Sequence, residues 1–240
     1  MPSNYRYRGT RKRRPYRKRK NKGGSRNTAA LNNHITTHPP KEINDLISHV
    51  IYINLDKRDD RKKHIEKELS IFNPDKVTRL SAVVDSHPTT GCAKSHYNAL
   101  CLARDNKYPN VLIVEDDACW NNVQNSYPIL ERLIKEPYDG IALGIMGDKF
   151  DKKTLRVHGG FTTHGYIVKE PFYQKYIELY EKVLNENKND NVKGPIYSNG
   201  LSQNAYNNGV WYVVYPALMI QIPTYSNINM GYKNLTKSIR

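Results

Sequence analysis

The stretch Val111-Leu112-Ile113-Val114-Glu115-Asp116-Asp117 decides how this chain folds. Four apolar residues, preceded by Pro109-Asn110 and ended by three carboxylates, spell a buried strand that stops abruptly in charge. Adjacent carboxylates repel one another and are costly to desolvate unless a cation lies between them. Oxygen-only donors at a strand's carboxyl end suit Mg²⁺ or Mn²⁺, ions that accompany phosphates. Open α/β sheets take their ligands beyond the carboxyl ends of their strands. Asp116 and Asp117 are therefore the first candidates for metal ligands and for catalysis, with Glu115 beside them.

Working outward, the pattern alternates strands with helices. Val50–Leu55 reads as a buried first strand, followed by a charged turn in which Asp59 or Asp60 can cap a helix carrying Ile65 and Leu69. Arg79–Val84 reads as a second strand. Gly91 opens a helix to Lys107, with Ala93, Tyr97, Leu100 and Cys101 at helical spacing. After the acidic strand come a short helix marked by Tyr127, Leu130 and Ile134, and strands at Ile141–Leu143 and Tyr166–Val168. Pro171 stands before a helix with a Phe172, Tyr176, Leu179 and Val183 stripe, and late strands follow at Trp211–Tyr215 and Leu218–Ile222. Such alternation predicts a mostly parallel α/β sheet flanked by helices.

Charge divides the chain. Its 240 residues carry a formal net charge of +15. Residues 1–27 hold 12 Lys and Arg and no acid, which leaves 26 basic and 23 acidic side chains for the rest. Residues 1–46 are thus expected to be a disordered basic tail and linker, 47–228 the folded domain, and 229–240 a C-terminal tail. The tail to residue 26 suits nucleic acid or an anionic surface, with Tyr5, Tyr7 and Tyr16 able to stack on bases. No apolar run approaches the ~20 residues of a membrane span. The chain is expected to be non-secreted and cytoplasmic, with the nucleus or a virus particle as destinations that suit the tail. Cys92, Cys101 and Cys119 form no zinc-type spacing and are read as reduced thiols in or near the core.

Several segments, in order, resemble glycosyltransferase family 25, the lipopolysaccharide-type and procollagen-type galactosyl- or glucosyltransferases. Val50–Arg58 with Arg61 resembles the family's first strand and basic turn, and Ala82-Val83-Val84-Asp85 its next segment. Gly91-Cys92-Ala93-Lys94-Ser95-His96 is similar to its "GCxxSH" signature, and Leu112–Asp117 to its "LILEDD" metal motif. Thr163-His164-Gly165-Tyr166 and Tyr215-Pro216-Ala217-Leu218 with Gln221 resemble later elements, so that the likeness covers about residues 47–228. The resemblance implies a GT-A-like fold, a UDP-sugar donor, Mn²⁺ or Mg²⁺, a glycan or hydroxylated acceptor, and inversion. Asp117 and Asp116 would hold the metal. Asn54 would meet the nucleotide, Arg58 and Arg61 its phosphates or base-side loop. Asp85, Ser95, His96, Glu115, His164 and Gln221 would line the substrate site.

The chain also departs from the family pattern. Ser226-Asn227-Ile228 stands where the family has an aspartate, and Gly194–Asn199 lacks the family's acid. An inverting transferase needs a base at the acceptor hydroxyl; Asp148 is nominated as an acid after a strand. The departures keep a second reading open, a catalytically weakened relative that binds a sugar nucleotide or a partner.

Overall fold

The run His-Val-Ile-Tyr-Ile-Asn forms β1 (His49–Asn54), and every one of its six residues is buried. A strand apolar on both faces needs neighbours on both edges and layers above and below. In the computed structural model, β1 lies between β2 (Val77–Ser81) and β3 (Asn110–Glu115), parallel to both. Residues 38–147, 149–160, 163–186, 204–226 and 231–233 are described. The basic tail, Asp148, and the segments at 194–199 and 227–228 lie outside them.

Helix α2 (Asp59–Glu68) connects β1 to β2, and α3 (Pro88–Asp105) connects β2 to β3. The order β2-β1-β3 means that the chain steps to one side of β1 and then returns to the other. That reversal leaves a crevice at the carboxyl ends of β1 and β3, the place where open α/β sheets bind ligands. The sheet continues through β6 (Gly165–Lys169), β5 (Gly140–Ala142) and β7 (Trp211–Val213). β6 runs antiparallel to both β3 and β5, while β5 and β7 are parallel. The sheet is therefore mixed but mostly parallel, and α3 packs across β1, β2 and β3 and against α5 (Tyr173–Glu186).

A second, two-stranded sheet completes the crevice. β4 (Ala118–Trp120) pairs antiparallel with β8 (Met219–Gln221), so that Ala118 lies opposite Gln221. The backbone N–H of Ile222 donates to Asp117 O at 2.8 Å. Glu68, buried at the end of α2, accepts from the Trp120 N–H, and the Trp120 indole donates to the Glu68 carbonyl. β9 (Thr224–Ser226) and β10 (Gly231–Lys233) pair separately.

Two local expectations need correction. Asp59 and Asp60 do not cap α2; Arg58 stands at the cap position with no side-chain cap bond, and both aspartates lie in the first turn. They still favour the helix through its positive N-terminal end. Helix α3 starts at Pro88 rather than Gly91, because proline's fixed φ and missing N–H fit a first helical turn. No helix among the described residues is long and apolar enough to cross a membrane.

At the far side of the sheet, Trp211 is enclosed by Tyr166, Phe172, Tyr176 and Tyr206. Gly140, its neighbour on β5, lies under the indole, where a Cβ would overlap the six-membered ring. Overpacking a filled core costs about 1–3 kcal/mol. Gly140→Ala is therefore expected to lower the unfolding free energy by that amount, read as a lower denaturant midpoint with the slope of the transition unchanged.

Candidate functional site

Four elements bring their ends to the crevice. β1 ends at Asn54, β3 at Glu115, β6 is preceded by Thr163 and His164, and β8 ends at Gln221. The register sets Ile53 beside Glu115, which places Asn54 level with Asp116. Asn54 Nδ2 donates to Asp116 Oδ2 at 2.8 Å and to the Arg58 carbonyl at 3.2 Å. Its Oδ1 accepts from Arg79 Nε and from the second Arg79 nitrogen, at 3.1 and 3.0 Å. An amide makes about four such bonds, so the buried Asn54 side chain is fully occupied. It works as a strut that orients Asp116, not as an open contact for a nucleotide.

Arg61, on the first turns of α2, reaches the two aspartates together. Its NH1 is 2.8 Å from Asp116 Oδ1 and 3.2 Å from Asp117 Oδ2. Both oxygens of Asp116 are thus engaged by protein. Arg58 is turned the other way, with a two-point contact on the exposed Asp60 at 2.9 and 2.8 Å. The charges of Asp116 and Asp117 still act on it.

Asp117 and Glu115 share a different partner. Gln221 Nε2 lies 3.2 Å from Asp117 Oδ1 and 3.4 Å from Glu115 Oε2. Residues two apart at a strand end point to the same side, which explains why Glu115 and Asp117 face one another's space while Asp116 faces Asn54. On its other oxygen, Oε1, Glu115 meets the Thr163 hydroxyl and, at 3.3 Å, His96 Nε2. His96 Nδ1 lies 2.9 Å from the buried Tyr166 hydroxyl. The helical turn before His96 carries Cys92, partly buried, and the Cys92 thiol, His96 Nε2 and a Glu115 oxygen lie within 4.8 Å of one another.

These surroundings divide the acids. Burial pushes the Asp117 carboxyl up to about 7; the charges of Glu115 and Asp116 add to the shift, while Arg61 and the Gln221 bond oppose it. Burial also acts to raise Glu115, but the bond to His96, its charge and the Thr163 hydroxyl outweigh it and hold Glu115 low. Burial and the neighbouring carboxylates push the Cys92 thiol well above its ordinary range.

The remaining candidates serve the frame. Ser95 donates to the Gly91 carbonyl at 2.7 Å and accepts from the Val83 N–H at 2.8 Å, strapping the loop after β2 to α3. Gly91 is required there because a Cβ would meet the Val83 carbonyl. Asp85 pairs with Lys94 at 2.7 Å and accepts from the His87 N–H at 2.9 Å, beside the start of α3. His164 Nε2 lies 3.0 Å from the Met219 carbonyl, joining the β6 end to β8, and burial lowers its pKa. Asp148 lies outside the described residues.

Arg79, Thr163, Tyr166 and Cys92 belong to the site but were absent from the sequence candidates. Arg79 carries the one usable signal, a lone cation at the centre of β2, level with Tyr52. Thr163 and Tyr166 enter through the antiparallel placement of β6, which local pattern does not encode.

No protein-family model matches the chain, and no curated protein matches it. Solved structures similar to it include a glycosyltransferase involved in the glycosylation of the major capsid of PBCV-1, at 13% identity over 76% of this chain and 95% of that one, with a TM-score of 0.48. The glycosyltransferase GlyE of Streptococcus pneumoniae TIGR4 is similar at 8% identity over 70% of this chain and 45% of that one, TM-score 0.42. The 4-diphosphocytidyl-2C-methyl-D-erythritol synthase of Anaerococcus prevotii is similar at 15% identity over 76% of each chain, TM-score 0.41.

The two aspartates should respond oppositely to neutralisation. Asp116→Ala strips the partly buried Arg61 and the buried Asn54 of their shared partner and is expected to cost about 3–5 kcal/mol in denaturant unfolding. For Asp117, a folded pKa of about 7 lies above the ordinary 3.8, so its contribution to stability is complete below 3.8 and lost as pH rises through about 7. In chelator, Asp117→Asn should therefore flatten the pH dependence of unfolding and exceed the wild type at pH 8 by about 1–3 kcal/mol.

Proposed function

We propose that the chain is a metal-dependent glycosyltransferase of the GT-A type, similar to family 25, moving galactose or glucose from a UDP-sugar to a glycan or hydroxylated acceptor with inversion. The observation that supports it most is a charge deficit in the crevice between β1 and β3. Glu115, Asp116 and Asp117 converge there, and one guanidinium, that of Arg61, makes direct ion pairs with the two aspartates. Placing Asp117 in such surroundings as an anion is unfavourable without further positive charge. A divalent cation carrying a nucleoside diphosphate matches both the charge and the position.

The donor set fits such a cation. Asp117 and the Oε2 side of Glu115 offer hard oxygens facing a common space, bridged by the Gln221 amide. Asp116 would stay with Asn54 and Arg61 and keep Asp117 aimed. When bound, the cation would supply Lewis-acid stabilisation to the departing diphosphate. Arg58 would reach the phosphates by leaving the exposed Asp60. In the transfer, the acceptor hydroxyl would form a bond to the anomeric carbon from the face opposite UDP as the carbon–oxygen bond to UDP breaks. The hydroxyl proton would pass to a base, for which Asp148 is our nominee.

Thermal unfolding tests the reading. Mn²⁺ with a UDP-hexose should raise the melting temperature more than either alone, and slow UDP-sugar hydrolysis should vanish in Asp117→Ala. Binding without turnover would identify a catalytically weakened relative. The absence of a shift with any nucleotide sugar would remove the donor site from the proposal.

A further inference from the structure

The crevice has a second face, lined by α3, that meets the proposed metal seat at Asp117 through Glu115. Cys92 and His96 sit one helical turn apart on α3, and Glu115 Oε1 approaches them from the end of β3. We propose that Cys92 Sγ, His96 Nε2 and Glu115 Oε1 form a binding site for a thiophilic divalent cation of the zinc type. It is distinct from the oxygen-only seat at Asp117, and it stands whether or not the transferase reading does.

Distance is the first argument. His96 Nε2 and Glu115 Oε1 are 3.3 Å apart. A charge-assisted N–H···O bond in a buried pair closes to about 2.7–2.9 Å. Two ligands on a tetrahedral ion with bonds of about 2.0–2.1 Å stand about 3.3–3.4 Å apart. The observed spacing, long for such a bond, is also the spacing of two ligands on one ion. The sulfur lies within the same 4.8 Å envelope as the nitrogen and the oxygen.

Outer contacts are the second. Metal-bound histidines usually donate their other ring nitrogen to a fixed partner. The buried Tyr166 hydroxyl, 2.9 Å from His96 Nδ1, can accept that proton and leave the Nε2 lone pair facing Cys92 and Glu115. The Thr163 hydroxyl steadies Glu115 in the same way. His96 and Glu115 are thus each held by an element other than their own, His96 by β6 and Glu115 by the segment before it.

Chemistry is the third. One sulfur, one imidazole nitrogen and one carboxylate oxygen form the mixed donor set that zinc accepts and that Mg²⁺ and Mn²⁺ do not favour. Cys92 and Glu115 are only partly buried, which would leave a fourth position on the ion accessible to water or a ligand. Binding would form a metal–sulfur bond and release the thiol proton to solvent, so that affinity rises with pH. Glu115 presents Oε1 to this face and Oε2 to Gln221, so one carboxylate serves both faces without turning.

Cobalt is a direct probe because thiolate ligation gives it a charge-transfer absorption. The full chain, stripped of metal and titrated with Co²⁺, should develop that band together with tetrahedral visible absorption at one equivalent, and Zn²⁺ should displace both. Cys92→Ser should abolish the charge-transfer band, while Cys101→Ser and Cys119→Ser retain it. His96→Gln should weaken binding ~10-fold or more. A titration without the band, or a band that survives in Cys92→Ser, overturns the site. Should Cys92→Ser not fold, X-ray absorption of the zinc-loaded wild type decides: one sulfur at ~2.3 Å supports the site, and an all-nitrogen and oxygen shell refutes it.

Discussion

Everything at the crevice depends on how Asp116 is held. Its two oxygens are taken by Asn54 from β1 and Arg61 from α2, and Asn54 is in turn gripped by Arg79 from β2. A continuous polar chain therefore ties the carboxyl ends of three parallel strands to the start of the first crossover helix. In a low-dielectric setting a connected network of this kind is rigid, whereas the loss of one member leaves the others unpaired. Asp117 and Glu115 can be aimed into the crevice because the residue between them is anchored away from it.

The sequence made the frame of this arrangement legible and hid its closure. β1 and β3 stand out as apolar runs because a strand buried on both faces must be apolar throughout, and α3 and α5 stand out through helical spacing. The direction of β6 does not stand out, because two-residue alternation is the same for a parallel and an antiparallel strand. That direction is what carries Thr163 and Tyr166 to Glu115 and His96. β4 also escaped, since three residues after a pair of aspartates gain strand geometry only from pairing with β8, about a hundred positions later.

The polar residues teach a related lesson. Asn54, Ser95 and His164 sit where ligand contacts are expected, at strand ends and a helix start. Their hydrogen-bonding groups are instead directed inward, to Asp116 and Arg79, to Gly91 and Val83, and to Met219. Residue type and position placed these groups near the acidic end of β3. They could not separate a group that touches a ligand from one that holds such a group in place, because both need a polar side chain near the crevice.

Glu115 shows why the acids of this cluster are not equivalent. His96 and Thr163 stabilise its anion on one oxygen, so the proton that three crowded carboxyls would retain moves to Asp117, where burial and the charge of Glu115 favour it. Near neutral pH and without a bound cation, Asp117 is thus partly protonated although it borders Arg61. A cation bound at Asp117, as proposed, would displace that proton and meet a Glu115 already charged and already oriented. His96 on α3 would then act on the cation affinity of a residue it does not touch. Its lever is the strand end at Glu115, shared between the two faces of the crevice.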